Sequence, residues 1–420
     1  MKKLKTLVQN SKSVLFNYPF VVLSAIVATV SFIILNEIRL TTENQTHEGI
    51  ALRIGFLAML GNSLFFGLTV MGIRYGKTLL WNCLGILFLC AYYFFLLPAN
   101  FEDWTILHKT TLLVCFILSH LFVAFAPFIG KHNAIQFWNY NKNLFLRALR
   151  TILFSGVFLG GILLSVLTIE ELFLPDLDDR FYTYTAIVLS IFGSCFIFLL
   201  FNRNGLSQLM EKESYPKSLK FFVQYILLPL LLIYVCILDL YGVKILFLWE
   251  LPKGVVSLPI LIYCLTGILA ILLTYPLQND TKNNWIKRFS KWFYLLTFPL
   301  LVLLFVGICT RIMAYGFTEK RYFIFIVGLW MTFISCYYGI QRKTSIRMIP
   351  ISLFFLGFFS LSLPYYNVFS TANRSQFNRL DELLLANGLF LNTELADKNK
   401  IIAFDRPVQD SVAKRVGNIY

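Results

Sequence analysis

Eleven long apolar stretches divide the sequence and limit what the chain can fold into. A helix that crosses a bilayer needs about 20 mostly apolar residues. Only 14% of the residues are charged and 58% are hydrophobic, whereas about 25% are charged in a soluble domain. This excludes a soluble enzyme, a secreted disulfide scaffold and a disordered chain. We predict an all-α, polytopic membrane protein of about 11 transmembrane helices, at residues 18–36, 50–73, 79–97, 110–129, 147–168, 182–200, 219–240, 257–275, 293–312, 322–340 and 348–364.

The charges between these stretches follow an alternating pattern. With a cytoplasmic N-terminus, the six inner segments and adjoining span ends hold 21 Lys and Arg against three acids. The five outer loops and adjoining span ends, with Arg53, Arg311 and Asp239 counted among these ends, hold nine Lys and Arg against thirteen acids. Because Lys and Arg are enriched in cytoplasmic loops, we predict an N-in, C-out topology in the cytoplasmic (inner) membrane of a bacterium. The net charge of +15 then belongs to loops, so we expect the lipid bilayer, and no nucleic acid, as partner.

Composition separates three parts of the chain. They are a basic cytoplasmic N-terminus (1–17), a transmembrane helical bundle (18–364) and an extracytoplasmic tail (365–420). In the tail, SQFNRLDELLLANG predicts an amphipathic helix with Ser375 as N-cap and a stop at Asn387-Gly388. A second short helix is predicted from three valines at four-residue spacing, Val408, Val412 and Val416.

The sequence lacks several familiar enzyme signatures. It has no GxxxxGK[ST] phosphate loop, no GxSxG elbow, no HExxH and no GxGxxG after a strand. The eight cysteines show no CxxC spacing, which indicates neither a zinc site nor a disulfide framework. The acidic loop around Asp176 and Asp178 has the character of an ordinary outer loop, although carboxylates in this pattern also suit a divalent cation. We therefore expect no metal and no cofactor, whereas enzymatic activity stays open as the less favoured alternative.

Two polar residues lie near the middle of apolar stretches, where an ionisable or polar group is costly unless it has a partner. For His120, a proton-relay or ligand role and a hydrogen bond to a neighbouring helix both stay open. For Asn62, bonding between helices is the favoured interpretation. Gly156 and Gly160 in SGVFLGG predict a small-residue face for close helix packing.

The densest polar group lies at the predicted outer ends of the seventh to tenth stretches. Arginine binds carboxylates and phosphates in bidentate geometry, so we predict that Arg311 and Arg321 bind an anionic or lipid-linked ligand. The residues of this hypothetical substrate-binding site are Arg311, Arg321, Glu319, Tyr315, Asp239 and Lys253. The alternative is that they act as interface anchors and form local ion pairs.

Several segments occur in an order that resembles a known family. They are QFWNYNKNLFLRALRTILFSG, FFVQYILLPLLLIYVCILDLYGVKI, WELPKGVVS, RIMAYGFTEKRY and NRSQFNRL. Together they resemble the bacterial membrane family named domain of unknown function 4153, over most of the chain. The matching motif positions are Trp249, Pro252, Gly254, Arg311, Tyr315, Gly316, Thr318, Glu319, Arg321 and Tyr322. The resemblance implies a membrane location and a polytopic architecture. It implies no particular activity.

Three functions stay open at this point. Many spans, a central histidine and polar groups at four helix ends favour a transporter- or flippase-like protein. The alternatives are a membrane-embedded transferase acting on a lipid-linked substrate at the outer face, and a non-catalytic envelope component that presents its tail to a partner. The substrate, the energy coupling and the oligomeric state do not follow from these residues.

Overall fold

The structure is a computed structural model that describes residues 2–41, 45–130, 133–173, 178–211, 215–248, 256–279, 284–340, 345–386, 390–391 and 394–395. The chain divides into two compact units, Met1–Glu213 (unit 1) and Ser214–Tyr420 (unit 2). The described residues are almost entirely helical, as the sequence predicts, and their one strand pair is short and antiparallel, Phe390–Leu391 (β1) with Glu394–Leu395 (β2).

Unit 1 is built from helices that match the first six apolar stretches, each long and apolar enough to cross a membrane. A 3₁₀ turn, Ala126–Phe128, follows α5, and a π-helical segment, Val188–Gly193, joins α7 to α8. The helices are Lys2–Asn17 (α1), Pro19–Thr41 (α2), Gln45–Tyr75 (α3), Thr78–Phe95 (α4), Ile106–Phe125 (α5), Ala134–Phe173 (α6), Asp179–Ile187 (α7), Ser194–Phe201 (α8) and Gly205–Met210 (α9).

Helix α3 lies at the centre of unit 1, because α2, α4 and α5 all pack against it. Close approach to α2 depends on Gly61, where a Cβ atom would lie only 2.3 Å from Ser24 Oγ. The Ser24 hydroxyl donates to the carbonyl oxygen of Ala58 at 2.6 Å. On the other side of α3, the hydroxyl oxygens of Ser63 and Ser119 are 2.6 Å apart. Small residues and hydroxyl bonds of this kind hold membrane helices together.

The close packing predicted for Gly156 and Gly160 is not found in the described part of the chain. No heavy atom lies within 4 Å of the place that a Cβ atom would take at either residue, apart from neighbouring residues of the chain and nearby backbone of α6 itself. The spacing of small residues is a local property, whereas the partner helix is decided by the tertiary fold. In unit 1 the close helix packing occurs instead at glycines of α3, such as Gly61.

Unit 2 contains four further helical segments that are long and apolar enough to cross a membrane: Lys217–Ile245, Ser257–Gln278, Asn284–Tyr315 and Glu319–Ile340. A π-helical segment, Phe222–Leu227, precedes α11, and a 3₁₀ turn, Tyr275–Asn279, follows α12. The helices are Lys217–Phe221 (α10), Leu228–Leu248 (α11), Ser257–Thr274 (α12), Asn284–Tyr315 (α13), Glu319–Ile340 (α14), Met348–Ser362 (α15) and Val368–Ala386 (α16).

The eleventh apolar stretch forms a helix that is short for a bilayer crossing. Helix α15 has 15 residues, a length of about 22 Å against a hydrocarbon core of about 30 Å. The residues on either side of α15 also lie along α14. The Tyr338 hydroxyl donates to the carbonyl oxygen of Ser345 at 3.0 Å, and the Tyr322 hydroxyl donates to that of Tyr366 at 2.7 Å. Residues 345–366 therefore run antiparallel to α14 over its whole length.

The amphipathic helix of the tail forms, but its start differs from the prediction. Helix α16 begins at Val368, seven residues before Ser375. The Asn367 side chain accepts a hydrogen bond at 2.7 Å from a backbone N–H of the first turn, so Asn367 is the N-cap. The described part of α16 extends to Ala386, and the predicted stop at Asn387-Gly388 lies outside the described residues. The second short helix, from residue 408 on, lies outside the described residues.

Candidate functional site

The polar set predicted from the sequence centres on the turn between α13 and α14. Gly316 follows α13 directly and has a φ of +74°. Its N–H donates to the carbonyl oxygen of Ile312 at 2.7 Å. A left-handed glycine at this position ends many helices, since a side chain is strained there. The last carbonyl groups of α13 have no partners within the helix and must be satisfied by other groups.

Two arginines satisfy carbonyl groups at this end of α13. Arg321 donates to the carbonyl oxygen of Gly316 at 2.8 Å and to that of Tyr315 at 3.3 Å. Arg379 of α16 donates to the carbonyl oxygen of Met313. The C-terminal end of a helix carries a partial negative charge, so cations are favoured there. Arg321 and Arg379 therefore stabilise the end of α13.

Helix α16 is joined to the same turn by uncharged side chains. Gln376, which is 1% exposed, donates from Nε2 to the carbonyl oxygens of Tyr315 at 3.1 Å and Phe317 at 2.5 Å. The backbone N–H of Phe317 donates to the Ser375 hydroxyl at 2.8 Å. Ser375 thus caps the turn of another segment and not its own helix. Two segments that carry the family resemblance, RIMAYGFTEKRY and NRSQFNRL, meet at this point.

The structure brings three residues of the predicted site together, Arg321, Tyr315 and Arg311. The guanidinium group of Arg321 also lies over the ring of Tyr315, 5.4 Å from its centroid. Arg311 lies one turn before the end of α13, and like-charge repulsion acts between it and Arg321. The contacts of Arg321 make it part of the link between the turn and α16. A ligand-binding role for Arg311 stays a prediction.

Asp239 lies at a different depth from Arg311. It is inside α11, nine residues before the end of that helix, whereas the sequence pattern predicts that it closes a span. A Cβ atom at Gly242, three residues later, would lie 3.5 Å from the Leu303 side chain of α13. Arg311 is eight residues further along α13, a rise of about 12 Å. The structure therefore separates Asp239 from the turn that holds Arg311.

The remaining predicted residues are not assembled into a site. Glu319 begins α14, where its negative charge is favoured by the helix dipole. Lys253 and Asp176 lie outside the described residues. Asp178 is the N-cap of α7 and accepts from the backbone N–H of Arg180 at 2.9 Å. Among the residues that the structure describes, no three His, Cys, Asp or Glu side chains are placed to hold a metal ion.

The two polar residues in the middle of spans have different surroundings. His120 is exposed, and its Nδ1 donates to the carbonyl oxygen of Phe116 in the same helix at 2.8 Å. Asn62 is half-buried, and its Oδ1 is buried without a hydrogen-bond partner in the described part of the chain. The bond between helices is formed instead by the next residue, Ser63, to Ser119.

A further intramembrane charge, Arg53, was missed by the sequence interpretation, which counted it with the charges of the first outer loop. Helix α3 begins at Gln45, so Arg53 lies about 12 Å inside the helix. Its guanidinium group lies over the ring of Tyr93 in α4, 4.3 Å from the centroid. Its Nε is buried without a hydrogen-bond partner within the described residues. The available signal was a single basic residue inside the apolar stretch 50–73.

An apolar groove lies between α2 and α4, over α3, and its lining includes Tyr93, the residue whose ring Arg53 contacts. Its volume is about 520 Å³, within the range of about 300–1,000 Å³ for ligand sites. The groove is open to the surroundings, since Leu23 is 57% exposed and Phe94 is 74% exposed. Its lining residues are Phe20, Leu23, Ser24, Val27, Ile54, Leu57, Ala58, Phe65, Ile86, Leu89, Cys90, Tyr93 and Phe94.

Comparisons with known proteins show which family the chain belongs to. The chain is 31% identical over 304 residues to an uncharacterized protein of Pasteurella multocida (strain Pm70). The aligned region is 71% of this chain and 49% of that protein, so the chain spans about half the length of the curated relative that it matches. No solved structure matches the chain significantly. The model of the family described as Domain of unknown function (DUF4153) matches residues 54–395. This multi-pass membrane protein therefore belongs to the DUF4153 family.

Proposed function

We propose that the protein binds an anionic amphiphile and moves it across the bilayer, as a flippase-like transporter does. In this proposal the apolar chain of the ligand lies in the groove between α2 and α4, and its acidic headgroup pairs with Arg53. The observation that carries the proposal is the position of Arg53 at one end of the groove, with a buried Nε that has no hydrogen-bond partner in the described part of the chain.

Charge complementarity supports this ligand class. A charged side chain within a membrane span is costly and faces a partner, a cavity or a substrate path. Arg53 forms no ion pair with a carboxylate of the described residues, and its contact is the face of the Tyr93 ring. A phosphate or carboxylate headgroup can accept two parallel N–H bonds from a guanidinium group. The headgroup then offsets the cost of the buried charge.

The dimensions of the groove support a path along the membrane. Its lining residues on α3 extend from Ile54 to Phe65, about 16 Å along the helix axis, which is more than half of a hydrocarbon core of about 30 Å. Phe20 lies at the start of α2 and Phe94 near the end of α4. An acyl chain of a bilayer lipid can enter sideways, because lining residues on both flanking helices are exposed, Leu23 on α2 and Ile86 and Phe94 on α4.

The charge distribution supports an orientation as well. We propose that the N-terminus is cytoplasmic and that the protein lies in a bacterial inner membrane, so that Arg53 is near the outer face. Alkaline phosphatase fused after Asn100 is then active and green fluorescent protein fused there is dark, whereas fusions after Asn204 give the opposite result. The reverse result at both positions would contradict this orientation.

Native mass spectrometry of the purified protein tests the ligand class. We expect wild type to retain an acidic lipid such as phosphatidylglycerol from mixed micelles, and Arg53→Gln to lose most of it. The matched control is Arg39→Gln, which removes the same charge near the same end of unit 1, where Arg39 pairs with Glu48 at 2.7 Å. Equal retention by wild type and Arg53→Gln would overturn the proposal.

A further inference from the structure

A second pocket, unrelated to the groove, lies in unit 1 at the predicted cytoplasmic end. It is formed by the first half of α6 and by the segment that joins α8 to α9, and its volume is about 180 Å³. Three arginines line it, Arg147, Arg150 and Arg203, and no carboxylate of the described residues does. Asn143, Leu146, Leu200, Phe201 and Gln208 complete the lining.

The pocket is built around a buried arginine. Arg147 is 6% exposed and donates to Asn202 Oδ1 at 2.9 Å and to the carbonyl oxygen of Gln208 at 3.5 Å. Asn202 is itself fully buried, and its carbonyl oxygen accepts from the Tyr18 hydroxyl at 3.0 Å. These bonds fix the position of the Arg147 guanidinium group.

The electrostatics of the pocket favour an anion. Three guanidinium groups that line one small volume repel one another, and a bound oxyanion converts this repulsion into attraction. Arginine presents two parallel N–H donors that match the oxygens of a phosphate group. Gln208 has a buried Oε1 without a hydrogen-bond partner among the described residues. If its amide group turns over, two further N–H donors replace that oxygen.

We propose that this pocket binds a phosphate group. The volume of about 180 Å³ corresponds to roughly six water molecules at about 30 Å³ each, which is enough for phosphate or pyrophosphate. Two sources supply this chemistry on the predicted cytoplasmic side, a soluble phosphate compound and the headgroup of an anionic lipid. The proposal does not depend on the groove or on Arg53.

The test uses the full chain and has two arms, one in nanodiscs and one in detergent. In nanodiscs of phosphatidylcholine, pyrophosphate is titrated calorimetrically in phosphate-free buffer. In detergent with mixed lipids, native mass spectrometry measures retained phosphatidylglycerol. The variants are Arg150→Gln, Arg203→Gln and their combination. The matched control is Lys77→Gln, an exposed charge on the same predicted side of unit 1 that does not line the pocket.

The proposal predicts that each arginine variant weakens binding in one arm by roughly tenfold, and that Lys77→Gln does not. Loss of pyrophosphate binding identifies a soluble phosphate compound as the source, and loss of phosphatidylglycerol identifies the lipid headgroup. The ligand-free variants should melt at or above the temperature of wild type, because like-charge repulsion is relieved.

If the double variant keeps wild-type binding in both arms, the pocket does not bind phosphate. If the double variant does not fold, the exposed Arg150→Gln variant decides the result.

Discussion

The guanidinium carbon of Arg53 lies 4.3 Å from the centroid of the Tyr93 ring. This cation–π contact joins α3 to α4 at one end of the apolar groove. A ring face attracts the cation without neutralising it, so the positive charge stays available to an anionic group. The contact therefore holds a positive charge next to the apolar groove. An acidic amphiphile requires this arrangement of a charge beside an apolar surface.

The first prediction concerns this pair. Tyr93→Leu should leave the groove apolar but release the Arg53 side chain, since the attraction of about 0.5–2 kcal/mol from the ring face is lost. Melting temperatures of Tyr93→Leu, Arg53→Gln and the double variant should then show coupling. Strictly additive effects of the two substitutions would indicate that the contact does not position the charge.

The second prediction concerns the turn after α13. Gly316→Ala introduces a Cβ atom at positive φ, where it would lie 2.9 Å from both Gln376 Nε2 and Ser375 Oγ. Gly76→Ala is the matched control, because Gly76 has a φ of +81° but no atom within 4 Å of that position. We expect about 1 kcal/mol of destabilisation for Gly76→Ala and at least about twice that for Gly316→Ala. Thermal unfolding measures both, and equal losses would mean that α16 does not pack on the turn.

The third prediction concerns the link to the tail helix. Gln376→Leu removes the donor of two hydrogen bonds and leaves the carbonyl oxygens of Tyr315 and Phe317 without it, at an expected cost of about 1–3 kcal/mol. Limited proteolysis should then cut within α16 faster than in wild type. Asn378→Leu is the control, since Asn378 is exposed on the same helix. Unchanged cleavage in Gln376→Leu would contradict the link.

The fourth prediction concerns Arg311, near the end of α13, for which the sequence predicts a role in binding an anionic ligand. Arg311→Ala should insert and fold normally yet lose the activity of the protein, if Arg311 binds the ligand. The matched comparison is Lys320→Ala, which removes an exposed charge near the same turn. Growth or transport assays of the two variants measure the difference, and full activity of Arg311→Ala would remove this residue from consideration.

Features that depend on local sequence could be predicted. Ten of the apolar stretches form helices long enough to cross a membrane, because a helix satisfies every backbone hydrogen bond within one apolar segment. The tail segment SQFNRLDELLLA lies within α16, as its amphipathic pattern predicts. The antiparallel course of residues 345–366 along α14 agrees with the eleventh stretch, although the helix itself is shorter.

Features that depend on tertiary contacts could not be predicted. Ser375 has the residue type and spacing of an N-cap, but its hydroxyl accepts from Phe317, 58 residues away. Arg53 was grouped with loop charges, because the start of α3 at Gln45 is not marked by the apolar pattern. Asp239 was expected at a span end, but α11 continues for nine residues beyond it. In each case the deciding interaction or boundary lies outside the local pattern.

Transbilayer movement of a fluorescent phosphatidylglycerol in proteoliposomes tests the central claim most directly. Ile86→Trp fills the groove, whereas Leu87→Trp adds the same side chain at the next position of α4, which is 66% exposed and does not line the groove. The account predicts that wild type and Leu87→Trp accelerate the movement of the lipid, and that Ile86→Trp and Arg53→Gln lower the rate by roughly tenfold or more. Rates that are equal in all four proteins, or equal to those of protein-free liposomes, would contradict it.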